Sequence, residues 1–241
     1  MLNRIIPLVT LLLLAFPGQA EPIVKTQTAV FDITANGRAF GTMALDYRAT
    51  ATTYSLAVTA EATGLFGFLL RAQYDGQASG MISPDQGLVP LRFSAASERL
   101  FKRRNTEISF ENNRPTQVTL TPKRDRTSLT DPSIITDTRT DPISLLAELF
   151  TWQSPGCPPP RRLYDGRRLS LVDISDATPS ATGQTCRGSY QITQGPDHSL
   201  QSGKRRFGLA YHYEITANSQ TLTGAEFTSG STTILLTRRA E

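Results

Sequence analysis

The sequence predicts an all-β fold: a single strongly curved antiparallel sheet, a barrel or open half-barrel, with one short helix packed on it. Three observations lead there. Apolar and polar residues alternate with period two through most of the chain. Turn-forming pairs separate these runs at hairpin spacing. A single segment of the exported domain carries a helical period instead.

Taken in order, the chain opens on a segment of a different kind. Met1-Leu2-Asn3-Arg4 supplies one positive charge, Ile5 to Phe16 is an almost unbroken apolar run, and Pro17-Gly18-Gln19-Ala20 closes it with small residues. That order predicts a signal peptide over residues 1–20, cut after Ala20. The run is shorter than the roughly 20 residues that a membrane span needs. Export to the periplasm is therefore expected, with residues 21–241 forming one β-rich domain and no transmembrane segment in the mature chain. No cysteine adjoins the cleavage site, so a lipid anchor is not expected.

The strands follow. Tyr54, Leu56, Val58 and Ala60 alternate with Ser55, Ala57, Thr59 and Glu61, giving one apolar and one polar face. Leu91-Phe93-Ala95, Ile108-Phe110, Val118-Leu120, Tyr190-Ile192 and Phe207-Leu209-Tyr211-Tyr213-Ile215 repeat the pattern. Asn36-Gly37, Asp75-Gly76, Asn112-Asn113 and Asp165-Gly166 suit positive φ and are read as turns. A last hairpin is expected around Ser229-Gly230. Together these make a meander.

The helix is expected at Asp141 to Phe150, where Asp141 is a suitable N-cap and Pro142 a suitable first helical residue. Ile143, Leu146, Ala147 and Phe150 fall on one stripe. So short a helix must dock on the sheet to persist. Before it, residues 122–140 show no clear period, and such a stretch within a compact domain is either functional or mobile.

Composition narrows the function classes. Hydrophobic residues make up 39% and charged residues 19%, a globular balance, and a formal net charge of +4 gives no reason to expect a nucleic-acid partner. The two cysteines, Cys157 and Cys186, are expected to form a disulfide in an oxidising compartment. Neither His198 nor His212 has metal-ligand spacing to the other, and Asp125, Asp131, Asp137 and Asp141 do not match a calcium loop. No Gly-x-Ser-x-Gly, Ser-x-x-Lys or His-Glu-x-x-His motif occurs. The expectation is a non-enzyme with no catalytic residues, no metal and no cofactor.

Two segments remain as binding candidates. Arg161-Arg162 and Arg167-Arg168 flank the Asp165-Gly166 turn, and four guanidinium groups there could hold phosphates or carboxylates. Cationic strand edges also simply discourage aggregation. Leu65, Phe66, Phe68 and Leu69 lie between glycines in the most apolar stretch of the mature chain. They could form a flap over an apolar cavity, a membrane-touching loop, or a buried strand with a glycine bend.

Asp141-Pro142-Ile143-Ser144-Leu145-Leu146, then Tyr164-Asp165-Gly166-Arg167-Arg168, then Cys186-Arg187-Gly188-Ser189-Tyr190 resemble, in that order, the exported bacterial DUF-3108 family. The resemblance extends along essentially the whole mature chain. It implies a Gram-negative periplasmic protein and brings no activity, since the family is a domain of unknown function. The functional expectation is a non-catalytic binding or carrier protein for an apolar or amphiphilic envelope component, lipid above all. The alternatives are an envelope assembly or interaction protein using basic hairpin surfaces, and a hydrolase with an unrecognised carboxylate site.

Overall fold

Period-two alternation produces thirteen strands that pair into one antiparallel sheet nearly closed into a barrel. The computed structural model describes residues 25–64, 67, 72–100, 102–124, 127–197, 203–217 and 219–240. The expected signal peptide, 1–20, lies outside them. The strands are β1 (Lys25–Ala35), β2 (Arg38–Ala49), β3 (Thr53–Ala62), β4 (Gln73–Ser83), β5 (Gly87–Arg99), β6 (Lys102–Glu111) and β7 (Arg114–Thr121). After helix α1 (Pro142–Phe150) come β8 (Arg161–Tyr164), β9 (Leu169–Pro179), β10 (Gly183–Gln194), β11 (Arg206–Ile215), β12 (Gln220–Ser229) and β13 (Thr232–Arg238).

Their spatial order is β7-β6-β5-β4-β3-β2-β1-β13-β12-β11-β10-β9-β8. Two meanders thus meet where β1 pairs with β13, Phe31 opposite Arg238 and Ile33 opposite Leu236. The free edges are β7 and β8, which are neighbours in sequence, joined by the segment that carries α1. Residues 127–140, the described later part of the stretch without a period, cover these edges. Pro132–Ile134 forms a short 3-10 turn whose N-cap is Asp131, and this turn packs on β7. Arg139 N–H donates to Asn113 O, and Thr140 makes a parallel bridge to Leu163 of β8. Covering a strand edge removes a template for aggregation. The Asp165-Gly166 turn completes the seam: a Cβ on Gly166 (φ +89°) would lie 3.0 Å from Thr106 Cγ2 and 3.3 Å from Val118 Cγ1.

The inner face follows from register. Tyr54, Leu56 and Val58 stand opposite Gly80, Ala78 and Gly76, and Ala78 stands opposite Phe93, then Ile108. All except the glycines are buried core side chains. Asp75-Gly76 is therefore not a turn but the interior of β4. Gly76 is required there because a Cβ would come within 2.8 Å of the Tyr74 ring and 3.1 Å of Ile143 Cδ1. Asn36-Gly37 and Asn112-Asn113 do form positive-φ turns, between β1 and β2 and between β6 and β7.

Helix α1 lies inside the curve, touching β3, β4 and β5 on one side and β8 and β12 on the other. Being wrapped, it buries more than a stripe: Ile143, Ser144, Leu145, Ala147, Leu149 and Phe150 are all buried. Leu146, assigned to the stripe from its spacing, is only half-buried, whereas Leu145 and Leu149 are core. Cys157 and Cys186 form a disulfide that ties the chain after α1 to β10.

Candidate functional site

Antiparallel strands give the barrel two ends. One carries the β2–β3, β4–β5 and β6–β7 turns and is filled by α1: Tyr213 Oη donates to Leu149 O, and Gln153 Nε2 to Gln220 O. At the other end the inward residues Met43, Tyr74, Ala95, Val118, Leu209, Tyr211 and Leu236 pack on the core yet stay half-buried. The alternation continues past the reach of the helix, so apolar side chains remain there without a full covering.

Beside α1 this inner wall lines a partly open cavity of about 320 Å³, bordered by Leu145, Leu163, Val172, Tyr190, Leu209, Tyr211 and Phe227, with Asp165, Arg168 and Ser170 among its polar residues. Its size falls at the lower end of the range for small-molecule sites, and such sites share its makeup of apolar walls with few polar groups. Phe207 stacks on Phe227 with centroids 5.1 Å apart, fixing that wall. Ser170 Oγ donates to Tyr190 Oη over 2.9 Å. Burial pushes the Tyr211 phenol up to about 12 and raises that of Tyr190. Both stay neutral at ordinary pH, as an apolar site requires.

A second polar group sits at the start of α1. Asp141 Oδ1 accepts from Ile143 N–H at 2.9 Å and Ser144 N–H at 2.8 Å, and Ser144 Oγ donates to Asp141 Oδ2. Tyr54 Oη in turn donates to Ser144 Oγ over 2.7 Å. Asp141 is 0% and Ser144 1% exposed, so this chain of groups acts as a helix cap and anchor with no route for a substrate.

Burial pushes the Asp141 carboxyl up to about 6 from its ordinary 3.8, against the hydrogen bonds from Ser144 and Ile143 that pull it down. Between these two values the folded chain binds the proton and the unfolded chain does not. Its contribution to stability is thus full below about 3.8 and is lost as pH rises through about 6. The difference corresponds to roughly 3 kcal/mol. Asp141→Asn keeps an N-capping oxygen and should remove this slope. Urea unfolding at pH 4 and pH 7 checks it; equal pH dependence in both proteins would refute the assignment.

The four arginines flanking the Asp165-Gly166 turn do not stand together. Arg161 forks onto Glu148 of α1 through Nε and Nη2, holding the helix to β8. Arg162 Nη1 bonds Asp137 at 2.8 Å. Arg168 pairs with Asp165 at 3.1 Å and donates to the Pro196 and Asp197 carbonyls. The Arg167 backbone N–H donates to Asp165 Oδ1. Alternation explains the split: Arg161 shares the inner face with Val172, and Arg162 takes the other. Leu65, Phe66, Phe68 and Leu69 lie outside the described residues. Their described flanks, Thr63 and Ala72, are anchored at the end opposite the helix-filled one by Thr63 N–H to Phe40 O and Ala62 N–H to Ala72 O.

Among the described residues no three His, Cys, Asp or Glu side chains converge as a metal site, and no helix is long and apolar enough to cross a membrane. The sequence reading did not single out Tyr190, Leu209, Tyr211 and Phe227 as a site. Their signal was present as inward aromatic positions on adjacent strands, but which strands adjoin is a matter of topology. A family model described as a protein of unknown function, DUF3108, matches residues 30–178. The match ends within β9, so β10–β13, including Cys186 and Tyr190, lie beyond it. No curated protein and no solved structure matches the chain.

Proposed function

The chain belongs to the DUF3108 family, and we propose from that premise that it is a non-catalytic, periplasmic binding or carrier protein for an apolar or amphiphilic envelope component. One observation carries the reading: the half-buried apolar wall around the cavity beside α1. Apolar side chains left incompletely covered inside a curved sheet gain free energy when a ligand removes them from water, at about 25 cal/mol per Å². The leader-like residues 1–20 and the Cys157–Cys186 disulfide fit an oxidising compartment outside the cytoplasm. The interaction-protein alternative draws less support, because Arg161, Arg162 and Arg168 are committed to internal carboxylates.

Leu209→Asp tests this. Leu209 is half-buried on the cavity wall, so a carboxylate there can reach water and the sheet should survive. Binding of the neutral fluorophore N-phenyl-1-naphthylamine should fall at least about tenfold with an unchanged circular dichroism spectrum, since a charge cannot be covered by an apolar ligand. Unaltered probe binding would refute the reading. Native mass spectrometry with lipid extraction, on protein from its own periplasm, would identify the cargo.

A further inference from the structure

The charges that border the cavity beside α1 are already matched. Asp165 Oδ1 accepts the backbone N–H groups of Arg167 and Arg168 at 2.9 and 2.7 Å, and its Oδ2 accepts from Arg168 Nη1 at 3.1 Å. Arg168 Nε and Nη2 donate to the Pro196 and Asp197 carbonyls at 2.9 and 3.1 Å. Asp165 and Arg168 are the charged residues of the described lining, and they cancel. An ion entering from water would lose its hydration with no opposite charge free to replace it.

Hydroxyl donors, by contrast, are in surplus there. Tyr211 stands on β11 opposite Cys186 of β10, packs against the core and lines the cavity. Its Oη has no hydrogen-bond partner among the described residues, although a tyrosine hydroxyl drawn out of water usually finds one. Tyr190 stands on β10 opposite Phe207 and lines the same space. Its Oη accepts from Ser170 Oγ at 2.9 Å and so keeps its own proton to donate. The bond from Ser170 polarises that O–H and makes it a better donor. Burial keeps both phenols protonated at ordinary pH. With Leu145, Leu163, Val172, Leu209 and Phe227 around them, the cavity is an apolar space holding two phenolic donors and no unmatched charge.

We infer that the cavity holds an uncharged acyl ester, its ester oxygens accepting from Tyr211 and Tyr190 and its hydrocarbon chain lying against Leu145, Leu209 and Phe227. This rests on the carrier reading and adds the charge state and head group of the cargo. A free carboxylate would bring an unmatched charge. A primary amide would bring N–H donors to a space whose carboxylate is already filled. Hydrocarbon alone would leave the phenols unpaired as water was displaced. An ester supplies acceptors without charge and without a donor.

Displacement of N-phenyl-1-naphthylamine by methyl decanoate and by decanoate at pH 8 tests it, using the full mature chain, Tyr211→Phe and Tyr190→Phe/Tyr211→Phe. The intact protein should bind the ester at least about tenfold more tightly than the carboxylate, whose charge finds no partner. The fluorophore carries no carbonyl, so the ratio of ester to fluorophore affinity reads the phenol contacts alone. That ratio should fall about fivefold in Tyr211→Phe, the loss of one hydrogen bond, and roughly tenfold or more in the double variant. Tyr211→Phe breaks no hydrogen bond among the described residues and provides the comparison if the double variant fails to fold. Decanoate bound as tightly as the ester, or a ratio unchanged in Tyr211→Phe, overturns the inference and leaves the carrier reading intact. Binding of neither fluorophore nor ester by the intact protein overturns both.

Discussion

Phe150→Ala is expected to destabilise the protein by about 3–5 kcal/mol, the cost of deleting a buried aromatic side chain and leaving a cavity. Phe150 is 1% exposed at the last turn of α1. It lies with the Arg238 guanidinium 5.8 Å from its ring centroid, and Arg238 stands opposite Phe31 where the two meanders join. The ring thus packs where the first and last strands of the sheet meet. Its neighbour Leu149, whose carbonyl accepts from Tyr213, belongs to the same buried turn. Leu146→Ala provides the contrast, since that side chain is half-buried and should cost clearly less. Urea unfolding of the two variants measures this. Equal losses would mean that α1 docks by the single stripe its spacing suggests and is not enclosed by the sheet.

Loss of the Cys157–Cys186 disulfide should cost about 3–4 kcal/mol in the chain-entropy account, for the loop closed by a sequence separation of 29. Its position adds a structural reason. The helix is held at its start by Asp141 and along its length by Arg161–Glu148, while the disulfide fixes the chain that leaves it to the fully buried Cys186 of β10. Without it, α1 can leave the barrel more readily. The unfolding midpoint of Cys157→Ala/Cys186→Ala should fall accordingly, and the variant should expose apolar surface at lower urea than the intact protein. A midpoint matching that of the intact protein would show that the bond does not constrain the unfolded chain.

The two effects bear on function in the same way. A curved sheet holding a helix at one end and half-buried aromatic residues at the other needs the helix fixed if the space between is to keep its shape. Arg161 is a helix tether, since its guanidinium forks onto Glu148 of α1.

What the sequence determined by itself is what short-range chemistry decides. Period-two alternation set the strands and their inner faces, Asn36-Gly37 and Asn112-Asn113 set turns, and Asp141-Pro142 set the start of α1. The pairing of two lone cysteines was legible for the same reason, as was the family. Tertiary structure decided the rest. Gly76 reads locally as a turn residue, yet it lies within a strand because Tyr74 and Ile143 need the space that a Cβ would fill. Leu145 and Leu149 became core because a sheet that wraps a helix buries several of its faces, which no single-stripe pattern can signal. Gly166 met Thr106 and Val118 because β7 and β8, the two edges of a sheet nearly closed into a barrel, come near each other in space. Such closure depends on the order and curvature of thirteen strands, and no local spacing in the chain records it.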